Sequence, residues 1–145
     1  MSRGRNAEPV VLVTGASGGI GSAVAARFMQ GGWRVVGVDI APGRDDGAPF
    51  HVVADVRSVA DCRHAVERAV QWGKRLDAVV NAAGVWTEGP SADTTEDEFD
   101  RVMGVNLKGL YFVTSAAIPL LTETKGCVVN LSSDAGLQGN AGAAV

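Results

Sequence analysis

Four glycines fall within seven residues at Gly15-Ala16-Ser17-Gly18-Gly19-Ile20-Gly21, and their surroundings are as restrictive as their number. The preceding run Val10-Val11-Leu12-Val13 is continuous and largely β-branched, the pattern of a strand covered on both faces. After the glycines, Ile20, Ala23, Val24 and Phe28 recur at helical spacing until Gly31-Gly32 supplies a stop. Trp33 to Asp39 returns to strand composition. A buried strand, a glycine turn, an amphipathic helix and a second strand form a β-α-β unit, whose parallel strands must cross over right-handed.

The rest of the chain repeats the alternation. Pro42 to Pro49 reads as a surface loop, Phe50 to Ala54 as a strand, and Val59, Cys62, Val66 and Val70 as one face of a helix. Leu76 to Val80 is a further buried strand, followed by helices over Asp93 to Met103 and Asn106 to Leu121. In the latter, Leu107, Leu110, Val113, Ala117 and Leu121 are expected on the inner side, with Pro119 kinking or shortening the helix. Gly126 to Leu131 is the last strand and ends in Ser132-Ser133. Five such strands predict an α/β fold, a Rossmann-like doubly wound parallel sheet in a three-layer α/β/α arrangement. Met1 to Glu8 is a polar, flexible N-terminus, and residues 9–145 form one domain, large enough to bury roughly 70% of its unfolded surface.

Composition narrows the partners. The net charge is -3 and the isoelectric point about 5.3, with no cluster of Lys and Arg, which argues against nucleic acid and against an anionic membrane. Neither a secretion signal nor an apolar run long enough to span a bilayer is read, so a cytoplasmic protein is expected. Cys62 and Cys127 are far apart, and with only His51 and His64 beside them no metal site is expected; both cysteines are read as buried small hydrophobes.

In a doubly wound sheet, ligands sit outside the carboxyl ends of the strands. The glycine turn is placed there, opening a helix whose unpaired N–H groups and positive dipole end suit a pyrophosphate. Gly15 permits the tight turn, Gly19 lets the backbone approach the phosphates, and Gly21 allows close packing of the helix. Ser17 and Ile20 complete the candidate contacts in the turn, while the lack of Gly-Lys-Ser/Thr argues against a nucleoside-triphosphate loop. Asp39 closes the second strand about twenty residues on, where a carboxylate accepts hydrogen bonds from the adenosine ribose. These charge-assisted bonds, about 1.5–3 kcal/mol each, are forfeited by a 2′-phosphate, so NAD is expected over NADP. Arg44 is the one nearby cation for such a phosphate, and the simpler alternative for Asp39 is the cap of a turn.

Thr14-Gly-x-x-x-Gly-x-Gly at 14 to 21 resembles the opening motif of the short-chain dehydrogenase/reductase family, and the resemblance continues down the chain. Asp55-Val56 is similar to the family's Asp-Val, which implies that Asp55 contacts the adenine amino group and Val56 lies by the ring. Asn81-Ala82-Ala83-Gly84 resembles its Asn-Asn-Ala-Gly, with Ala82 in place of the second asparagine; Asn81, Ala83 and Gly84 are carried over as cofactor-binding positions. Val105-Asn106-Leu107-Lys108-Gly109 resembles the segment of the catalytic asparagine, so Asn106 is expected to bend the helix and hold a water of the proton relay. Gly126 to Ser133 resembles the strand of the catalytic serine, a role that falls on Ser133.

The family mechanism joins that serine to a Tyr-x-x-x-Lys pair, in which an ammonium must bring a tyrosine of ordinary pKa near 10 towards neutrality. Tyr111, the one tyrosine here, has no lysine four residues on and does not fit. Counting from Ser133, the family's tyrosine falls just beyond Val145, so the family's C-terminal elements are expected to be missing and residues 1–145 alone to be inactive. The resemblance implies hydride transfer between nicotinamide and a small alcohol or carbonyl substrate. It also implies a homo-oligomer at full length, paired through the helix of Asn106. Trp86, Thr87 and Glu88 are expected at the substrate entrance. The alternative reading is an NAD-binding sensor or interaction module without catalysis.

Overall fold

The computed structural model describes residues 8–43, 47–138 and 142. Of the expectations above, the N-terminal stretch 1–7 and Arg44 lie outside the described residues. Strands β1 (Val10–Thr14), β2 (Arg34–Asp39), β3 (Phe50–Val53), β4 (Ala78–Asn81) and β5 (Cys127–Asn130) form one parallel sheet in the order β3-β2-β1-β4-β5. The chain runs outward from β1 to β3, then returns to the other side of β1 with β4. That reversal opens a crevice at the carboxyl ends of β1 and β4.

The unalternated strands are buried on both faces, as their composition requires. Val10 and Leu12 of β1 pack with Val36, Val38 and Val79 under helices α2 (Val59–Gly73) and α4 (Leu110–Thr124). Their neighbours Val11 and Val13 point the other way, with Val35 and Val80, against Ala25, Val24 and Phe28 of α1 (Gly19–Gln30). The expected α/β/α layering is thus present. Ser58 caps α2 by accepting the Asp61 N–H, and Thr95 and Glu98 form a reciprocal capping box at α3 (Glu96–Met103).

Four expectations need correction. First, the two helices after β4 are one continuous helix over Glu96–Thr124, because α3 runs into α4 through a π-helical turn at Gly104–Gly109. The wider turn breaks the 3.6-residue period, which is why the sequence read as two pieces. Joined, the segment is 29 residues long and holds an 18-residue window of mean hydropathy 1.2, so it is long and apolar enough to cross a bilayer by those measures alone. Val113, Ala117 and Leu121 are buried against the sheet and α2, the packing of a core helix.

Second, Leu107 falls in the π-turn and is exposed rather than on the inner side. Third, Pro119 does not shorten α4, which continues to Thr124. Fourth, Cys62 is buried but Cys127 is exposed, because among the described residues β5 is the edge strand and pairs with β4 alone.

Candidate functional site: the cavity at the carboxyl ends of the strands

The glycine turn between β1 and α1 is shaped by contacts that leave no room for side chains. Gly15 has φ +67°, a left-handed conformation, and a Cβ there would stand 2.8 Å from the Ala83 N and Cα atoms. A Cβ on Gly21 would overlap the Gly15 carbonyl oxygen. Gly19 differs: a Cβ there would meet nothing within 4 Å, so its freedom serves the open space beside it. Gly18 caps α1 without a side-chain hydrogen bond, and the first turn carries no acidic residue. Its positive end is left for an anion.

The turn is tied to β4 by a buried hydroxyl. Thr14 Oγ1 accepts hydrogen bonds from Ala82 N and Ala83 N, both at 3.1 Å, and Thr14 is 1% exposed. Sequence reasoning gave Thr14 no separate role. Its signal was a threonine closing an otherwise aliphatic strand.

Around this junction lies a cavity of 610 Å³, within the range of small-molecule sites. The ends of four strands meet there. Gly15, Gly19, Ile20 and Gly21 come from the turn, Asp39 from β2, Asp55 and Val56 from the loop after β3, and Ala83 and Gly84 from the loop after β4. Nine of the expected site residues are therefore brought together. Ile20, assigned to the packed face of α1, is 65% exposed because it faces the cavity.

Four expected site residues do not line the cavity. Ser17 stands behind Asp39 and donates its backbone N–H to Oδ2 at 2.9 Å. Asn81 is buried in the sheet, where its Nδ2 donates to Thr114 Oγ1 and Asn130 Oδ1 at 3.0 and 2.8 Å, tying β4 to α4 and β5. Asn106 supports the wall from behind. Its Nδ2 donates to the Val85 carbonyl at 2.8 Å and its Oδ1 accepts the Val85 N–H at 2.9 Å. Ser133 follows β5 and caps a 3₁₀ turn over Asp134–Gly136, accepting the Ala135 N–H at 3.2 Å and donating to Asp134 Oδ1 at 3.3 Å.

Two carboxylates face the cavity in different states. Asp39 does cap a turn, accepting Ala41 N at 3.1 Å on Oδ1 beside its bond from Ser17. Each oxygen retains a second lone pair towards the cavity, so the cap and a hydroxyl-binding role are compatible. Asp55 is gripped by Arg57, whose Nε and Nη2 reach it at 3.0 and 2.7 Å and whose backbone N–H adds a third bond. The guanidinium hydrogen bond holds the Asp55 carboxyl below the usual carboxylate range, against an opposing push from burial. Arg57 and Arg101 also line the cavity and were not foreseen; for Arg57 the available signal was a cation two residues after a strand-end aspartate. Of the three residues expected at the entrance, Trp86 lines the cavity, Thr87 Oγ1 donates to Glu98 at 3.4 Å, and Glu88 is exposed outside it.

A profile of the short chain dehydrogenase family matches residues 9–145. The chain belongs to that family. It is 35% identical to a meso-2,3-butanediol dehydrogenase of Serratia marcescens, over 93% of this chain and 57% of that protein. Similar matches are a 3-oxoacyl-[acyl-carrier-protein] reductase of Thermotoga maritima, 36% identical over 92% of the chain and 58% of the relative, and a cyclopentanol dehydrogenase of Comamonas testosteroni, 36% identical over 97% and 61%. The chain thus spans rather less than two thirds of the length of these relatives.

Proposed function

We propose that this short chain dehydrogenase is the NAD-binding part of an oxidoreductase that moves a hydride between nicotinamide and a small alcohol or ketone. The observation that carries the reading is that the Asp39 carboxylate and the open backbone at Gly19 line one cavity. A dinucleotide needs a pyrophosphate cradle and an acceptor for its ribose hydroxyls, and here the first follows β1 while the second ends its neighbour β2. When bound, NAD supplies the hydride-transferring ring.

The residues of the chain bind and orient. The turn at Gly15–Gly21 receives the pyrophosphate on the N-terminus of α1, and Asp39 accepts from the ribose. Asp55 and Val56 border the adenine, with Arg57 fixing the Asp55 carboxylate. Gly84 and Val85 form a backbone wall that Asn106 holds in place. Ser133 offers one hydroxyl proton, which turns from Asp134 to the substrate oxygen. The one tyrosine of residues 1–145, Tyr111, has no lysine four residues on, so these residues do not supply the Tyr-x-x-x-Lys pair that the family implies and alone reduce no ketone. The named relatives act on a diol, a cyclic alcohol and a 3-oxoacyl group, which supports an alcohol or carbonyl substrate. Leu107, Tyr111 and Ile118, each more than half exposed along one helix, support pairing with a second copy.

Titration of the intact protein with NADH and NADPH tests the cofactor. NADH is expected to bind at least tenfold more tightly, consistent with loss of one charge-assisted hydrogen bond plus repulsion. Tighter binding of NADPH overturns the role given to Asp39. A second reading, a dinucleotide-binding module without catalysis, is favoured by one observation: Ser133 caps its own turn outside the cavity lining. Turnover of an alcohol or ketone by the intact protein, lost on Ser133→Ala, excludes it.

A further inference from the structure

The loop that follows Asp39 is held from below by a residue no motif contains. His51 lies on β3 directly opposite Gly37 of β2, and its Nε2 is 3.0 Å from the Ala41 carbonyl oxygen. A carbonyl only accepts, so Nε2 carries the proton and donates it. The Ala41 N–H in turn donates to Asp39 Oδ1 at 3.1 Å. Ala41 therefore links the two side chains: its carbonyl is fixed by His51 and its N–H meets the carboxylate. A Cβ on Gly43 would stand 2.8 Å from His51 Cγ, and a Cβ on Gly37 would stand 3.0 Å from its Nδ1 and equally from the Ala16 Cβ of the glycine turn. Two positions without side chains thus make the slot in which the ring sits, between the Asp39 loop and the sheet.

We propose that His51 is a positioning residue for the adenosine half of the cofactor. Through Ala41 it sets the direction of the Asp39 carboxylate, so that the lone pairs not used by Ser17 and Ala41 face the ribose hydroxyls. This rests on the reading of Asp39 as the ribose-binding carboxylate. The Ser17 N–H holds Oδ2 of Asp39, and the freedom left to the carboxylate is the movement of Oδ1 about that contact. Fixing the peptide to which Oδ1 is bonded removes that freedom before the ligand arrives.

The test is calorimetric titration of the intact protein with ADP-ribose, which carries the adenosine half, and with nicotinamide mononucleotide, which lacks it. His51→Val removes the donor, and His51→Asn keeps a polar side chain too short to reach Ala41, giving a second variant should valine fail to fold. Both are expected to weaken ADP-ribose by roughly three- to tenfold, the range of one neutral hydrogen bond. His51→Gln places an amide N–H near the former Nε2 and is expected to stay within about twofold of the original. Nicotinamide mononucleotide binding should move in none of them. Unchanged ADP-ribose binding in the valine and asparagine variants overturns the proposal, as does an equal loss for both ligands. Asp39→Ala separates the two levels. If it weakens ADP-ribose while the His51 variants do not, the link alone fails; if it has no effect, the ribose assignment fails and takes the link with it.

Discussion

Asn106 binds Val85 through both of that residue's backbone groups, donating Nδ2 to the carbonyl at 2.8 Å and accepting the N–H on Oδ1 at 2.9 Å. The pairing reproduces a strand-like two-bond contact with a side-chain amide. It joins the π-turn between α3 and α4 to the loop that forms one wall of the cavity. The amide cannot be replaced by a carboxylate, because an acceptor would then face the Val85 carbonyl. Asn106→Asp is therefore expected to be more damaging at pH 7 than Asn106→Ala. The alanine variant should lose about 1–2 kcal/mol of stability, two modest hydrogen bonds at a partly solvated site. Urea unfolding of the two variants checks the order, and equal stability would show that the donor end contributes nothing.

Thr14 makes a stronger case for a single atom. Its Oγ1 is the acceptor for two backbone N–H groups, Ala82 and Ala83, at a position 1% exposed. Thr14→Val keeps the shape and strips both donors of their partner, which should cost about 2–4 kcal/mol, since each part-buried unsatisfied group costs about 1–3 kcal/mol. Thr14→Ser keeps the oxygen and should lose about 1 kcal/mol, the methyl contribution alone. Chemical denaturation distinguishes the two, and a serine variant as unstable as the valine one would mean that packing, not the hydroxyl, holds the junction.

The glycines of the turn should separate folding from binding. At Gly15, both the positive φ and the approach of Ala83 oppose a side chain, so Gly15→Ala should destabilise the fold by several kcal/mol. Gly19→Ala meets nothing within 4 Å and begins a helix, so stability should hold or rise by up to about 1 kcal/mol. Its methyl group enters the space assigned to the pyrophosphate. Dinucleotide affinity should fall at least tenfold with no fall in melting temperature. Undiminished affinity in Gly19→Ala would remove the phosphates from this side of the turn.

These residues also show what the sequence could and could not disclose. The buried strands announced themselves because Val and Leu run unbroken through β1 and β4, and the glycine turn did so because its spacing is tied to a strand before it and a helix after it. Asp39 was legible as a strand end, and its place in the cavity follows from the parallel order of β1 and β2. The π-turn was not legible: a single extra residue per turn shifts the apolar register, so the apolar pattern breaks between Met103 and Asn106. Nor was the destination of Asn81, since an asparagine after a buried strand can face a ligand or a neighbouring strand with the same local pattern. Its tie to Thr114 and Asn130 depends on contacts 33 and 49 residues away. His51 belongs to the same class, because its contact with the Ala41 carbonyl is set by the pairing of β2 with β3.

Acid stability should report on a carboxylate far from the cavity. Asp77 precedes β4, accepts the Val10 N–H at 2.8 Å on Oδ2 and pairs with Arg75, whose Nε reaches the same oxygen at 2.8 Å. Burial raises its pKa, but the Arg75 hydrogen bond, the Val10 bond and the charge of Arg75 together outweigh that push and leave it below the ordinary 3.8. The sign follows from linkage: a carboxyl whose folded pKa is depressed adds stability that is fully present above its unfolded value and is lost as pH falls through the folded one. Asp77 should thus contribute fully above about pH 5 and progressively less below 3.8, where the unfolded carboxyl is already taking up protons. Asp77→Asn retains an oxygen for Val10 but not the charge, so its stability should fall less steeply between about pH 5 and pH 2 than that of the original chain, the two curves converging at the acid end. Asp55, depressed chiefly by Arg57, contributes in the same direction and remains in both proteins, so the comparison isolates Asp77. Parallel curves across that range would show that the Arg75 pair, although well formed at the foot of the sheet, adds nothing to folding that depends on its charge.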